Sequence, residues 1–458
     1  MPWTEPQPAK NRIYLDNAAT SFPKPPAVHE AMTRYAHDLG ASPGRGTYRE
    51  SIEGGRIIAD CRARLGRLLG CPSPDHIVFT LNASDALNLA INGIAHHERV
   101  KRSRSGSDEP VHFVATAMDH NSVLRPLNAL QSDSVGAPVE WTCVDGDPET
   151  GLVDPDDVRA AIRPNTALVI AVHASNVSGT LQPIEEIGAI AREHGIRFHT
   201  DAAQSVGKIA TRVDDLGVDL LTIAGHKLYA PKGIGALFVR GGIELEPLIH
   251  GAGHESGRRA GTESVLLASG LGAACELAQD LSSMERILKL RDHFWHALRD
   301  RFGDQIVLNG HTEHRLPNTL KDEVSRARAE KASRARGYHP PPSDEKKTSW
   351  GGNSLWEDRR AALVISHGDR HVARLIVEGR KDRLNRAGTL IEAAYRGCKA
   401  RRFLHFHISM AVRIQRQAHA LFARLQSERD AKAAGRAAEV FVFGDGDEIP
   451  DASWKHKD

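Results

Sequence analysis

Cysteine and aromatic residues are scarce in this chain of 458 residues. Aromatic residues make up 5% of it, and its cysteines are scattered. No two of them form a CxxC pair or show the ligand spacing of a zinc site. The sequence therefore predicts neither a disulfide framework nor a metal centre, and it fits a reducing compartment. The cysteines are Cys61, Cys71, Cys143, Cys275 and Cys398.

The chain also lacks a strong net charge and long apolar runs. The formal net charge is +2, with 26% charged residues, so the whole-chain charge gives no reason to expect nucleic acid or a membrane surface as a partner. No apolar run is long enough to span a membrane. The start, MPWTEPQPAKNR, has neither the apolar core of a signal peptide nor an arginine-rich amphipathic pattern. We expect a soluble cytoplasmic protein.

What is present is an alternation of short apolar runs with helix-like segments over residues 13–320. Such alternation predicts a mostly parallel α/β sheet covered by helices on both faces. Ligands bind these sheets at the carboxyl ends of the strands. The predicted strands are HIVFT (76–80), HFVATA (112–117), ALVIAVHA (167–174), IRFHTDA (196–202) and DLLTIAG (219–225), and the predicted helices cover 84–97, 154–163 and 184–195.

An aspartate and a lysine follow two consecutive strands of this predicted sheet. Asp201 ends the run IRFHTD, and Lys227 follows the next run, in AGHKLYAPKGIG. Consecutive parallel strands are usually neighbours, so we expect both side chains to face one crevice. An acid that pairs with a pyridine nitrogen and a lysine that forms a Schiff base are the two groups pyridoxal phosphate needs from a protein. A helix cap for the acid and a solvated loop for the lysine are the alternative interpretations.

Three further strand ends carry polar residues that suit a ligand site. Ser84, in NASDALNLA, opens a helix whose free N–H groups suit phosphate, and the same residue is an ordinary helix cap. His120, in ATAMDHNSVLRP, suits ring stacking or proton transfer, and a capping role is the alternative. Asn176, in AVHASNVSGTLQP, lies at the same predicted edge as Asp201 and Lys227, and an ordinary turn asparagine is the other interpretation.

These motifs follow one another in the order seen in cysteine desulfurases, and over about residues 12–320 the chain resembles this group of class V aminotransferases. The resemblance implies fold type I, in which a mostly parallel seven-stranded sheet is sandwiched by helices, with a smaller α+β domain formed by the N-terminal segment and the C-terminal part. It implies pyridoxal 5'-phosphate as the cofactor, L-cysteine as the substrate, a homodimer with shared active sites and a sulfur-acceptor protein. The motifs are YLDNAATSFPKP, NASDALN, MDHNSVL, NVSGTLQP, TDAAQSVGK, GHKLYAPKGIG, HESGRRAGTES and LNGHTEHRLPNTL.

The resemblance also implies a role for each matching position, with Lys227 and His120 as the catalytic residues. Arg45 and Arg49 lie where the family brings basic residues toward the neighbouring site, and Arg45 is the candidate for substrate binding. The implied cofactor site consists of Lys227 as the Schiff-base lysine, Asp201 at the pyridine nitrogen, Gln204 at the phenolic oxygen, His120 stacked on the ring, Ala83, Ser84 and His226 at the phosphate, Asn176 beside the substrate carboxylate, and Thr262 at the phosphate in the partner subunit.

The sequence departs from the family pattern in three places. Ala224 stands where the family usually has a serine, so a phosphate hydrogen bond worth about 1 kcal/mol is missing. The loop that carries the nucleophilic cysteine of a desulfurase is not recognisable, and Cys398 is the cysteine beyond the resemblance. Arg413 is a candidate for the arginine that binds the substrate carboxylate only by its place in the C-terminal part.

The character of the sequence changes after Leu320, where a basic stretch poor in core-forming residues begins. One hypothesis is that a reading-frame shift or a retained intron has altered this part of the sequence, and the other is that it is a basic interaction arm. We predict segment 1–25 packed on the small domain, a large cofactor-binding domain 26–265, the start of the small domain 266–320, the atypical segment 321–402, and a C-terminal helix with a charged tail 403–458.

A cysteine desulfurase-like enzyme is thus the leading hypothesis. The first alternative is another class V chemistry on the same cofactor contacts, namely a selenocysteine lyase, an aminotransferase or an epimerase. The second is a non-catalytic paralogue, which Ala224 and the unrecognised cysteine loop favour. Intact Lys227, Asp201, His120 and Gln204 argue for the enzyme.

Overall fold

The computed structural model describes residues 14–44 and 46–324, all within one compact unit of the chain. Arg45, Cys398 and Arg413 lie outside the described residues. So do residues 1–13, the predicted segment 403–458 and all but the first few residues of segment 321–402. Within the described part, none of the helices combines the length and the apolar character that a membrane span requires.

A seven-stranded sheet forms the centre of the described part. Its strands are β1 (Ile77–Thr80), β2 (Val111–Thr116), β3 (Val139–Val144), β4 (Thr166–Val172), β5 (Arg197–Asp201), β6 (Leu220–Ala224) and β7 (Gly235–Val239). The order across the sheet is β1-β7-β6-β5-β4-β2-β3. The pairs from β3 to β6 are parallel, and β7 runs antiparallel to both of its neighbours. The expected mostly parallel α/β sheet is confirmed.

Helices cover both faces of this sheet. They are α1 (Pro26–Asp38), α2 (Arg49–Leu69), α3 (Ala83–Ser105), α4 (Asn121–Ser132), α5 (Pro155–Ala161), α6 (Ile184–Glu193), α7 (Val265–Leu277) and α8 (Ser282–Phe302). Alternate residues of β4 point to opposite faces, as strand geometry requires. Val169 and Ala171 join the core shared with α1, α2, α6 and α7, whereas Leu168 and Ile170 join the core shared with α3 and α4.

Two short strands complete the described part, β8 (Ile306–Leu308) and β9 (Asp322–Val324), which pair antiparallel. Helix α7 packs against α1 and α2 and contributes Val265, Leu271 and Cys275 to the first core. The predicted division between a large domain ending at residue 265 and a small domain starting at 266 stays a prediction.

The predicted strands all exist, but strands β3 and β7 were missing from the sequence prediction. The edge strand β3, with sequence VEWTCV, has several half-exposed residues and so lacks a continuous apolar run. Strand β7, with sequence GALFV, begins on Gly235 directly after a loop that contains glycine and proline. Because these residues are typical of turns, the sequence does not show where the strand starts. Its antiparallel direction also breaks the strand–helix alternation from which the sheet was predicted.

A buried ion pair ties helix α2 to strand β1 and to the loop that precedes α7. The Arg62 guanidinium donates to both carboxylate oxygens of Glu255, at 2.8 and 2.9 Å, and also to the backbone oxygen of Ile77. Glu255 in turn accepts a hydrogen bond from the Phe79 backbone N–H at 2.8 Å. Glu255 and its neighbour Ser256 have positive φ angles of 51° and 58°, which side chains other than glycine rarely adopt. The hydrogen bonds of Glu255 hold this strained turn in place.

We expect Glu255→Ala to lower the free energy of unfolding by about 3–5 kcal/mol, because it leaves the buried Arg62 charge and the Phe79 N–H without their partner. Urea unfolding followed by fluorescence measures the loss. The matched control is Glu53→Ala, which breaks the exposed Glu53–Arg56 pair and should cost less than about 1 kcal/mol. Equal effects of the two variants would contradict a special role for the buried pair.

Candidate active site

Asp201 and Lys227 lie at the same edge of the sheet because β5 and β6 are parallel neighbours, with Asp201 opposite Thr222 in register. Asp201 is the last residue of β5. Lys227 ends the short helical turn Gly225–Lys227 that follows β6 directly. The structure therefore brings together the two residues that the sequence placed at one crevice.

Burial and mutual attraction set the charge states of this pair. Burial raises the pKa of the Asp201 carboxyl, and a hydrogen bond from the Ala203 N–H and the charges of Lys227 and His120 lower it again. Burial lowers the pKa of the Lys227 amine, and the Asp201 charge opposes that shift. Among the described residues, Lys227 Nζ makes neither a hydrogen bond nor an ion pair. A lysine with an unengaged amine of lowered pKa suits nucleophilic chemistry with a carbonyl.

Two glycines allow the backbone to crowd around Lys227. A Cβ on Gly225 would lie 2.5 Å from the Ile234 carbonyl oxygen, and a Cβ on Gly235 would lie 2.8 Å from the Asn82 carbonyl carbon. Only glycine fits at either position without a shift of the main chain. The lysine turn and the loop before α3 are therefore packed against the start of β7.

The N-terminus of α3 forms the second wall of the site. The Asn82 side chain caps the helix by accepting from the Asp85 N–H at 3.0 Å. The Ser84 hydroxyl lies 2.7 Å from the Ser122 hydroxyl at the start of α4. Within the described part of the chain, the N–H groups of Ala83 and Ser84 have no hydrogen-bond acceptor. Free N–H groups at a helix start are suited to phosphate.

His120 takes the capping role, one of the two that the sequence left open, and its role toward a cofactor stays a prediction. It is the N-cap residue of α4, and its Nδ1 accepts from the Ser122 N–H at 3.1 Å. Its charge also lowers the pKa of Asp201, so the imidazole lies close to the buried carboxylate. The capping contact fixes Nδ1 as an acceptor and leaves the exposed ring beside the site.

Gln204 and His226 are both held by the N-terminal segment. Gln204 Nε2 donates to the Ala18 carbonyl at 2.9 Å, and His226 Nδ1 lies 3.2 Å from the Thr20 hydroxyl. Burial and the charge of Lys227 lower the pKa of His226 to about 4, so its imidazole is neutral at pH 7. The contact with Thr20 leaves Nε2 free of any described partner.

Asn176, Thr262 and Arg49 are exposed, and their side chains make no hydrogen bond with a described residue. Asn176 lies in the loop after β4, on the edge that carries Asp201. Thr262 lies in the loop before α7, and Arg49 is the first residue of α2. The structure does not bring Thr262 and Arg49 into contact with the lysine turn, and their roles stay predictions.

Two buried ionisable residues beside the site were missed by the sequence analysis. Lys208 Nζ donates to the Gln204 carbonyl at 2.8 Å, and burial together with the charge of Lys227 lowers its pKa to about 7. Burial and the charge of Asp201 raise the pKa of Asp119 to about 7. Lys208 ends the motif TDAAQSVGK, and Asp119 directly precedes His120 in MDHNSVL. Their position inside these two motifs is the feature of the sequence that points to the site.

Comparison with known proteins agrees with the geometry. Residues 13–326 match the class V aminotransferase family. A cysteine desulfurase IscS of Dictyoglomus turgidum is 39% identical over 313 residues, which cover 68% of this chain and 75% of that protein. A cysteine desulfurase of Pongo abelii is 35% identical over 317 residues, which cover 68% of this chain and 66% of that protein.

Solved structures of similar proteins share the fold. The structure described as SspA in complex with cysteine is 34% identical, has a TM-score of 0.60, and covers 70% of this chain and 86% of that chain. A cysteine desulfurase from Thermococcus onnurineus is 28% identical with a TM-score of 0.61, over 69% of this chain and 79% of that chain. From the family match, the sequence relatives and the shared fold, this chain belongs to the class V aminotransferase family and is a cysteine desulfurase-like, pyridoxal phosphate-dependent enzyme.

Proposed function

We propose that this enzyme holds pyridoxal 5'-phosphate on Lys227 and converts L-cysteine to L-alanine, passing the sulfur to a thiolate. The observation that carries the proposal is the half-buried Lys227 amine, which makes no hydrogen bond or ion pair within the described part of the chain, beside the buried Asp201 carboxyl. L-cysteine as the substrate is supported by the relatives named cysteine desulfurase and by the neighbour solved with cysteine. A cytoplasmic location stays a prediction from the sequence.

The free groups of the site fit the cofactor. Asp201 has one hydrogen-bond donor among the described residues, the Ala203 N–H, so the carboxylate can accept a further proton-bearing nitrogen. The two N–H groups at the start of α3 and Nε2 of His226 suit the phosphate. Gln204 and His120 would contact the phenolic oxygen and the ring face. When bound, pyridoxal phosphate supplies an electron sink for the charge that develops at the substrate α-carbon.

The chain's own residues then divide the work. Lys227 would hold the cofactor, and its free amine would remove and return the proton at the substrate α-carbon. Asp201 would pair with the ring nitrogen. His120 acts as acid or base near neutral pH. Asn176, in its exposed loop, would bind the substrate carboxylate, with Arg45 as a second candidate.

The described cysteines are poor sulfur acceptors. Burial raises the pKa of every one of their thiols, to about 11 for Cys143, to about 12 for Cys275, well above the ordinary value for Cys61, and upward for Cys71. A raised pKa depletes the thiolate that must attack sulfur. We therefore place the acceptor outside the described residues, on Cys398 or on a partner protein. A homodimer in which Thr262 reaches the phosphate of the partner subunit is part of the same proposal.

The visible absorption spectrum of the purified protein tests the proposal. With pyridoxal phosphate we expect a visible absorption band that is lost in Lys227→Ala. The control is Lys232→Ala, which removes an exposed lysine of the same loop and should keep the band. Reduction with borohydride should leave the cofactor mass on the Lys227 peptide. L-cysteine should change the band and yield one alanine for each sulfur transferred to added thiol. Absence of a band, or a band that survives Lys227→Ala, would overturn the proposal.

Restoring the hydroxyl that this chain lacks should tighten cofactor binding. Ala224 is 1% exposed at the end of β6, next to the lysine turn. We expect Ala224→Ser to raise the affinity for pyridoxal phosphate about fivefold, from one added hydrogen bond to the phosphate of about 1 kcal/mol. Titration of the cofactor-free protein measures it, and Ala224→Cys, similar in size but a weak donor, is the control. Equal affinity of the serine and cysteine variants would show that no such bond forms.

A further inference from the structure

The backbone carbonyl that directly precedes Lys227 accepts an unusual set of hydrogen bonds. Four donors from the N-terminal segment converge on the His226 oxygen: the Ser21 N–H at 3.1 Å, the Ser21 hydroxyl at 2.8 Å, the Thr20 hydroxyl at 3.3 Å and the Lys24 ammonium at 3.0 Å. A carbonyl oxygen has two lone pairs, so this acceptor is more than saturated. The contact joins segments about 200 residues apart in the sequence.

The Ser21 hydroxyl closes the lysine turn from outside. It donates to the His226 oxygen and accepts from the Tyr229 N–H at 2.8 Å, so it bridges the two sides of Lys227. Ser21 is 2% exposed, and Lys24 Nζ donates to the same hydroxyl at 3.1 Å. Tyr229 has a φ of 64°, which is strained for a residue other than glycine. The conformation of the lysine turn thus depends on hydrogen bonds from Ser21, which lies in the N-terminal segment and not in the turn.

Lys24 is held at this point by neutral partners. In the described part of the chain no carboxylate lies within ion-pair distance of its amine, and it donates to the His226 carbonyl and the Ser21 hydroxyl instead. Burial and the charge of Lys232 lower its pKa to about 8. Its charge also contributes to the low pKa of His226. A half-buried cation without a carboxylate costs free energy, and its two hydrogen bonds offset part of that cost.

We propose that Lys24, together with Ser21, is a positioning residue that clamps the backbone on both sides of Lys227. During turnover the lysine side chain must leave and regain the cofactor, so its backbone has to stay fixed while its amine moves. The clamp provides that fixed point through the His226 carbonyl and the Tyr229 N–H. This role rests on the proposed function of Lys227, whereas the clamp itself is a property of the protein without cofactor.

Amide hydrogen exchange in the cofactor-free protein tests the clamp. Loss of a hydrogen bond of about 1 kcal/mol corresponds to about fivefold faster exchange. We expect the Tyr229 amide to exchange at least that much faster in Lys24→Met, still faster in Ser21→Ala, and at the wild-type rate in Lys24→Arg. Lys232→Met is the matched control, because it removes a neighbouring charge that makes no hydrogen bond to the turn. If Ser21→Ala fails to fold, Thr20→Val replaces it.

Steady-state kinetics of the cofactor-loaded enzyme test the positioning role. In Lys24→Met we expect the borohydride adduct on Lys227 to form in full, kcat to fall about tenfold and KM for L-cysteine to stay within about twofold, because the amine is misplaced rather than lost. Lys24→Arg should restore kcat, and Lys232→Met should leave it unchanged. Unchanged Tyr229 exchange in Lys24→Met overturns the clamp. Faster Tyr229 exchange with unchanged kcat in Lys24→Met overturns the positioning role. A wild-type protein that does not turn over L-cysteine refutes the proposed function and leaves the exchange test of the clamp valid.

Discussion

The site depends on one desolvated pair of ionisable groups, the Asp201 carboxyl and the Lys227 amine. Each group alone would resist burial in its charged form, and each lowers that cost for the other. Their proximity follows from the parallel pairing of β5 and β6, which brings two strand ends to one edge of the sheet. The remaining contacts either hold this pair in place or present free groups around it.

The frame around the pair is built from distant segments that meet mainly through the backbone. The N-terminal segment contacts the Gln204 amide and the His226 carbonyl, and the Ser84 and Ser122 hydroxyls join the starts of α3 and α4. Such contacts fix the main chain and leave the Lys227 amine and the exposed Asn176 unengaged by described residues. A rigid frame with free reactive groups is the arrangement that proximity catalysis requires.

The described residues bear differently on the two parts of the proposed function, cofactor binding and sulfur transfer. The described residues include the candidate cofactor contacts, whereas the described thiols have raised pKa values that lower their thiolate fraction. Ala224 supplies no hydroxyl at the end of β6. In the proposed function, cofactor binding rests on residues 14–324, and the identity of the sulfur acceptor would decide what the enzyme delivers.

The sequence by itself determined the mostly parallel sheet and the place of Asp201, His120, Asn176 and Lys227 at its strand ends, because hydrophobic periodicity and the succession of apolar runs along the chain are visible in local stretches of sequence. It could not reveal β7, whose antiparallel direction departs from the local alternation. Only the tertiary structure decided which residues hold Lys227. The bonds from Ser21 and Lys24 to the His226 carbonyl cross about 200 residues, and a backbone acceptor leaves no side-chain signature in the sequence. The lowered pKa of Lys208 is likewise decided by the tertiary structure, because it results mainly from burial, and burial depends on the whole fold.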